Sequence, residues 1–338
     1  MDTKTVKYIF SKILLYLTVF ILALTVNFFL TRLIPGSAIS TLLSALSGSS
    51  GALAASSVSG GSSFLVSNIH YLEAEFGLVP QPLYIQYYHY ILGVFTGNLG
   101  ISISYYPLTV ANIIGSSLGI TLSETFIAVI VAFFVGSWLG SIFAIRRAKI
   151  SEISATNILA IFITIPAFVI IMYLELIFAV KLKLVSVTFP GMSLSLIGIA
   201  HLVNFFAVPM AGFITSLVPG FYFGMRNTMI HALKDNYTQY SEILGFKKST
   251  IRKFVYRNSM LPNITNFFIS LGLGISSALT IEGLLGIPGS GYYFGNAIFS
   301  RDLPLLQGIF LIIVLMLIVS LAIVEIVYGL IDPRVRST

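Results

Sequence analysis

Long uncharged apolar runs constrain this chain more than any other feature of its sequence. Five runs contain no Asp, Glu, Lys or Arg, at residues 13–31, 125–145, 153–174, 261–281 and 303–324. A sixth lies inside the uncharged stretch 184–225, where Pro190 and Gly191 predict an external turn and the helix begins near Leu196. A helix needs about 20 mostly apolar residues to cross a bilayer. The sequence therefore predicts an all-α polytopic membrane protein with six transmembrane helices.

The overall composition points to the same class of protein. Of the 338 residues, 57% are hydrophobic and only 9% are charged. A soluble domain carries about 25% charged residues, because its surface must stay in water. The chain contains no cysteine, which excludes disulfides and thiolate metal sites.

The distribution of Lys and Arg predicts the orientation in the membrane. With the N-terminus inside, 15 of the 19 basic residues fall on the cytoplasmic side. The four that fall outside are Arg32, Lys181, Lys183 and Arg301. Cytoplasmic loops of membrane proteins carry an excess of Lys and Arg, so both termini are expected to be cytoplasmic. The net charge of +7 then reflects topology, and nothing in the sequence indicates a nucleic-acid partner.

The predicted transmembrane helices divide the chain into three parts. Residues 1–34 hold the N-terminal tail and the first transmembrane helix, and residues 35–119 form an external loop or scoop segment. Residues 120–338 form a core with the other five transmembrane helices and a cytoplasmic segment at 226–258. The external part begins with a flexible Ser/Gly/Ala-rich stretch. Dense aromatic residues at 70–95 then predict two short helices, broken at 77–82, that form a small lid or scoop on the membrane surface.

The cytoplasmic segment shows a helical pattern. Apolar residues recur there at spacings of three and four, which predicts an amphipathic helix; they are Leu233, Tyr237, Tyr240, Ile243 and Leu244. Gly245 is expected to end this helix. A second, basic helical stretch at 247–258 leads to Pro262 at the start of the next apolar run.

No catalytic constellation accompanies these elements. The stretch GFKKST at 245–250 lacks the glycines of a nucleotide-binding loop. The four histidines form no i, i+4 pair, so a metal site is not expected. The sequence thus predicts that the protein is not an enzyme and that any nucleotide is hydrolysed by a partner.

Ionisable residues and prolines inside the apolar runs are the remaining candidates for function. Glu124 and Glu325 are interpreted as interfacial or helix-bridging groups. Pro166, Glu175 and Glu282 are candidates for a translocation path or gate, with a structural role as the alternative.

Short motifs occur in a fixed order along the chain. In the first half they are TRLIPG at 31–36, FGL at 76–78, QPL at 81–83, GNLGIS at 97–102 and TIPAF at 164–168. In the second half they are the segment 237–245, RNSMLP at 257–262, IEG at 281–283, IPGSG at 287–291, AI at 297–298, RD at 301–302 with Pro304, QG at 307–308 and DPR at 332–334. Over nearly its whole length the chain resembles the dipeptide/oligopeptide type of ABC importer permease.

The resemblance implies an ABC importer permease fold and a docking segment for an ATPase subunit. The implied coupling residues are Asp235, Tyr237, Tyr240, Ser241, Glu242 and Gly245. Tyr240 and Ser241 depart from the small residues usual in the family, whereas Gly245 is kept.

The resemblance also implies partners and a solute. The partners are a second homologous permease, two ABC ATPase subunits that bind ATP and Mg, and an external solute-binding protein. No cofactor is expected in this chain. The implied solutes are di- or oligopeptides, with oligosaccharides or nickel as the alternative. A stand-alone secondary transporter is a further alternative, but such proteins are built from internal repeats and none is evident.

The external part is unusually poor in charge. Residues 35–119 contain no Lys or Arg and only two acids, Glu73 and Glu75. One interpretation is an acidic exterior, where protonated carboxylates would leave basic residues without compensation. The other is that a binding protein or the partner permease covers this surface.

Overall fold

The computed structural model describes residues 3–33, 81–191 and 195–331. Within these ranges the protein is helical, and its one β feature is an isolated bridge between Ile101 and Thr109. Five helices are long and apolar enough to cross a membrane, or six spans if one sharply bent pair counts as one. The prediction of an all-α polytopic membrane protein is confirmed.

Ten α-helices are present in these ranges. They are α1 Thr3–Arg32, α2 Leu83–Thr96, α3 Val110–Ile145, α4 Ile150–Thr164, α5 Ala167–Glu175, α6 Leu196–Ala232, α7 Asn236–Ile243, α8 Lys248–Leu285, α9 Ser290–Ser300 and α10 Leu303–Ile331. A π-helical turn, Leu176–Lys181, follows α5.

Two of these helices are longer than the sequence pattern indicates. Helix α3 begins at Val110, within the part expected to be an external loop, because the uncharged run at 125–145 indicates only part of the helix. Helix α8 is continuous from Lys248 to Leu285, so the basic stretch and the apolar run form one helix. Pro262 lies inside it, as membrane helices tolerate when neighbouring groups satisfy the freed backbone. Helix α6 begins as expected, with the Ser195 hydroxyl accepting the Gly198 N–H at 3.1 Å.

The third predicted span is broken. Helices α4 and α5 meet at an angle of 99° at Ile165 and Pro166. The proline restricts the residue before it to extended backbone, and Ile165 has φ −89° and ψ 125°. The apolar run at 153–174 therefore forms two short helices instead of one straight helix.

The chain forms two compact units. The first comprises Met1–Thr121 and Pro288–Ile318, and the second comprises Leu122–Ile287 and Val319–Thr338. The first unit therefore holds α1, α2 and α9, and the second holds α4 to α8.

In the first unit, a buried carboxylate organises the segment between α2 and α3. Asp302 is fully buried, and its carboxylate accepts the Ser102 hydroxyl at 2.5 Å and the Ser104 N–H at 2.9 Å. The same side chain caps α10 by accepting the Leu305 N–H at 3.2 Å. One carboxylate thus fixes a loop and a helix start, since each bond to a charged acceptor is stronger than a neutral one.

In the second unit, small residues let α3 and α6 approach closely. A Cβ on Gly136 would lie 2.7 Å from the Val218 carbonyl oxygen, and one on Gly140 would lie 2.6 Å from that of Tyr222. Glycines four residues apart permit this contact between membrane helices. Asn263 of α8 joins the group, because its Nδ2 donates to the Phe221 carbonyl at 3.0 Å.

Candidate coupling segment and membrane-embedded polar groups

The predicted coupling residues lie on one short helix and its cap. Helix α7 spans Asn236–Ile243, with Asp235 as its N-cap in extended conformation. The helix begins later than the pattern predicts, because Leu233 belongs to the end of α6. There Leu233 packs against a buried cluster formed by Ala144, Met225, Met229, Ile251 and Val255.

Gly245 ends α7 as predicted, and the reason lies in its backbone. Its φ is +74°, a conformation that side chains with a Cβ rarely adopt. The Phe246 N–H donates to the Ser241 carbonyl at 3.1 Å, and the Gly245 N–H donates to that of Glu242 at 3.0 Å. These two bonds form a Schellman motif, which terminates the helix and turns the chain toward α8.

The outward side of α7 and its cap is apolar and open. Tyr240 is 65% exposed, and Ile243 and Leu244 are 79% and 74% exposed. Tyr237 and Phe246 extend the same surface, with 39% and 51% exposure. Exposed apolar groups gathered in one place mark a surface that another molecule covers.

Helix α7 is held firmly on its other side. Thr238 is 2% exposed, and its hydroxyl donates to the Ala232 carbonyl at the end of α6 at 2.8 Å. The cluster around Met225 and Val255 joins α3, α6 and α8, and Leu233, just before α7, packs against it. Helix α7 is therefore bonded to the end of α6, which itself packs into that cluster.

An ion pair that sequence reasoning missed joins α4 to α6. The Arg226 guanidinium donates to the Glu152 carboxylate, with Nε at 2.8 Å and Nη2 closer. Thr156 donates to the same carboxylate at 3.1 Å and shares a 2.7 Å hydrogen bond with the Tyr222 hydroxyl. Glu152 is nearly fully buried, so this pairing is required to compensate its charge. No sequence pattern links positions 152 and 226, because the pairing depends on how the two helices pack.

Two of the predicted path residues lie at the ends of α5. Pro166 precedes the helix and Glu175 is its last residue, directly before the π-helical turn. One Glu175 carboxylate oxygen, Oε2, is buried without a hydrogen-bond partner. Turns of π-helix occur often at functional sites, which keeps Glu175 a candidate.

Glu282, the third predicted path residue, lies near the end of α8. Its side chain is fully buried, and its carboxyl group lies close enough to that of Glu124 in α3 for the two to interact electrostatically. Glu124 is 3% exposed, and neither of its carboxylate oxygens has a hydrogen-bond partner. The structure therefore brings Glu124 and Glu282 together, whereas Pro166 and Glu175 lie on a different helix.

Comparison with known proteins identifies the family. The model of the binding-protein-dependent transport system inner membrane component matches residues 136–337. This match covers more than half of the 338 residues, and the chain belongs to that family. The chain is thus a multi-pass protein of the cytoplasmic membrane and a permease component of a binding-protein-dependent ABC transport system.

Individual relatives extend the similarity to most of the chain. The oligopeptide transport system permease protein OppB of Haemophilus influenzae is 28% identical over 332 residues, covering 98% of this chain and 99% of that protein. The dipeptide transport system permease protein DppB of Bacillus subtilis is 29% identical over 266 residues, or 78% and 83% of the two chains. A metal-staphylopine import system permease protein, CntB of Staphylococcus aureus, is 26% identical over 258 residues, or 76% and 79%. The resemblance stated from the motifs is confirmed.

Proposed function

We propose that this chain is a transmembrane subunit of an ATP-driven importer for di- or oligopeptides. In this proposal it forms the translocation path with a second, homologous permease. Two ATPase subunits bind ATP and Mg and hydrolyse the nucleotide, and an external binding protein delivers the solute. The observation that carries the proposal is the open apolar surface of α7 and its cap, formed by Tyr237, Tyr240, Ile243, Leu244 and Phe246.

The contacts of α7 suggest how ATP hydrolysis is coupled to movement of the membrane helices. The outward side of α7 offers an ATPase subunit tyrosine, isoleucine and leucine side chains, and its inward side is bonded to α6 through Thr238. When ATP brings two ATPases together, a docked α7 would move with its ATPase. The buried cluster of α3, α6 and α8 would carry this movement into the membrane and shift the bundle between two states.

The broken α4–α5 helix supports a position of the path in the second unit. At the break, Thr164 and Pro166 are exposed, and Ile165 has left the helical conformation. Lipid cannot hydrogen-bond the carbonyls that such a break frees, so irregular backbone at membrane depth lines a water-filled cavity or another protein. We therefore assign Pro166 to the path, with Glu175 and the pair of Glu124 and Glu282 as polar groups near it.

A peptide solute is favoured by the names of two relatives, the oligopeptide and dipeptide permeases. The staphylococcal relative is named for metal-staphylopine import, so a metal complex is the second candidate. In this proposal, either solute would be imported by the same set of subunits. The solute bound by the co-purified binding protein distinguishes them, because that protein selects what reaches the permease.

Cross-linking in the assembled complex tests the proposal. Because the chain has no cysteine, Tyr240→Cys can carry a single photoactivatable thiol reagent. Tyr173→Cys is the matched control, since Tyr173 is 64% exposed but lies in the membrane span of α5. The expected result is an adduct with an ATPase subunit from position 240 and none from position 173. The proposal is rejected if position 240 yields no adduct or if both positions react equally.

A further inference from the structure

Helix α2 runs alongside α1 in the opposite direction. Near the end of α1, Arg32 donates to the Gln86 side-chain oxygen with Nε at 3.2 Å and Nη2 at 2.9 Å. Further back along α1, Asn27 donates to the Tyr90 hydroxyl at 3.0 Å. Further back still, the rings of Phe20 and Phe95 meet edge to face, with centroids 6.4 Å apart. From Gln86 to Phe95, the contacts on α1 move back from Arg32 to Phe20.

These contacts place α2 at membrane depth. The membrane span of α1 is Ser11–Arg32, so Arg32 marks one end of it. Twelve residues separate Arg32 from Phe20, which corresponds to about 18 Å at a rise of 1.5 Å per residue. The hydrocarbon core of a bilayer is about 30 Å thick. Helix α2 therefore descends from the Arg32 end of α1 into the bilayer instead of lying on its surface.

The chain turns after α2 and returns along α10. Gly97, with φ +75°, ends the helix. A Cβ on Gly308 of α10 would lie 3.7 Å from the Leu99 side chain, whereas Ser102 is bonded to Asp302, just before α10 begins. The step from Leu303 to Gly308 corresponds to about 8 Å of helix. Both α1 and α10 thus place the turn below the surface on the same side of the bilayer.

The side-chain chemistry of this segment suits such a position. No Asp, Glu, Lys or Arg occurs anywhere from residue 81 to residue 123. Several polar groups near the turn are bonded locally: Thr96 donates to the Leu92 carbonyl at 2.9 Å, and the Gly100 N–H donates to the Asn98 side chain at 3.3 Å. Backbone and side-chain polar groups satisfied within the segment are what a lipid environment demands.

The outward side of α2 is the surface that lipid would contact. Tyr84, Tyr88, Leu92 and Phe95 follow one another at spacings of three and four, and each is 48% to 74% exposed. Leu22 and Val26 of α1, within the same membrane span, are likewise exposed. The tyrosines precede the apolar residues, as expected for a helix that enters through the headgroup region.

We infer that residues 83–100 form a re-entrant helix and turn, immersed in the leaflet on the Arg32 side, whose outward surface binds lipid. This inference accounts for the absence of charge at 83–100 without an acidic exterior, because charged side chains are costly in hydrocarbon. It differs from the scoop on the membrane surface that the sequence pattern predicts. It does not depend on the solute or on the role of α7.

Spin labelling tests the inference in the assembled complex in phospholipid vesicles. Single cysteines at Tyr84, Tyr88, Leu92 and Phe95 receive a nitroxide label, and collisions with oxygen and with a water-soluble nickel chelate are measured. Oxygen concentrates in the bilayer interior and the chelate stays in water. The expected ratio of oxygen to nickel collisions rises from position 84 to position 95. At position 95 it should match the ratio at Leu22→Cys, the lipid control on α1.

Because four positions are labelled, the test remains valid if one variant fails to assemble. Two outcomes overturn the inference. The first is nickel access at position 95 equal to that at Lys183→Cys, the control in an exposed loop, which would place α2 in water. The second is protection of positions 88, 92 and 95 from both reagents. That result would mean that a protein partner, rather than lipid, covers α2.

Discussion

The side-chain amide of Gln307 donates a hydrogen bond to the hydroxyl of Thr31, 2.8 Å away and 276 residues earlier in the chain. Asn27 strengthens the junction, since its Nδ2 donates to the backbone carbonyl of Gln307 at 3.0 Å. Thr31 belongs to the TRLIPG motif at the end of α1, and Gln307 belongs to the QG motif at the start of α10. Buried polar groups need partners. The contact therefore gives a physical reason why two distant motifs occur in one chain.

Gly245→Ala should reduce uptake per ATP hydrolysed by the reconstituted importer. An alanine at φ +74° is strained by about 1–2 kcal/mol, which alters the turn that presents the apolar surface of α7. Gly191→Ala is the matched control, because Gly191 has φ +82° and open space where a Cβ would lie. Uptake and ATP hydrolysis are measured in the same vesicles. An equal effect of both substitutions would argue against a coupling role for Gly245.

Gly140→Ala should destabilise the second unit. Its Cβ would meet the Tyr222 carbonyl oxygen at 2.6 Å, so α3 and α6 must separate, at a cost of about 1–3 kcal/mol. Gly115→Ala, in the same helix, has nothing within 4 Å of the new Cβ and should leave the thermal unfolding midpoint unchanged. The midpoint is measured on purified complex in detergent. A lower midpoint for Gly115→Ala than for Gly140→Ala would contradict the packing described for α3.

Asp302→Asn should loosen the segment between α2 and α3. An amide in this place carries no charge and presents only one oxygen to Ser102, Ser104 and Leu305, so about 1–3 kcal/mol of stabilisation is lost. Hydrogen exchange of the Ser104 amide is the measurement, and it should become faster. In Asp235→Asn, which alters an N-cap without a side-chain capping bond, exchange at Ser104 should not change. Unchanged exchange in Asp302→Asn would contradict the role of this carboxylate.

Glu152→Gln and Arg226→Gln should be strongly non-additive. Each single change leaves a charged partner without compensation, whereas the double change removes both charges from the α4–α6 contact. The expected coupling energy is about 0.5–3 kcal/mol. It is obtained from the thermal unfolding of the unchanged protein, the two single variants and the double variant. Additive effects would mean that the ion pair does not form in the membrane.

Labelling with an impermeant thiol reagent should establish the orientation. Phe299→Cys, at a side chain that is 88% exposed, should react from outside intact cells, and Ser249→Cys should not. The expectation rests on the 15-to-4 distribution of basic residues. Reaction at position 249 alone would reverse the assigned topology.

The sequence predicted the membrane class and most spans because hydropathy depends on composition along the chain. It also predicted the end of α7, because the positive φ that ends this helix requires a glycine, and Gly245 supplies it locally. The 99° break at Pro166 was underestimated, because a proline in a membrane helix is compatible with a slight kink as well as with a break. Packing against other helices decides between a kink and a break, and that packing cannot be predicted from one segment of the sequence.

The polar groups of the candidate site were only partly predictable. Glu175 and Glu282 were found because carboxylates in apolar runs are conspicuous. The pairing of Glu152 with Arg226, and the approach of Glu124 to Glu282, join residues 74 and 158 positions apart. The descent of α2 into the bilayer was missed for another reason. Tyrosine, glutamine and histidine lower its mean hydropathy, although the Tyr90 hydroxyl and the Gln86 amide bond to α1 or to a nearby carbonyl.

The break at Pro166 has a consequence for how the protein is made. Helices α4 and α5 have 15 and nine residues, so neither is long enough to cross the bilayer alone. Helix α5 packs tightly against α6, where a Cβ on Gly212 would lie 2.5 Å from Ile171. Helix α6 is synthesised later, so α5 has no partner when it first leaves the ribosome. We expect stable insertion of this segment to wait until α6 has emerged, which makes the order of synthesis part of the folding pathway.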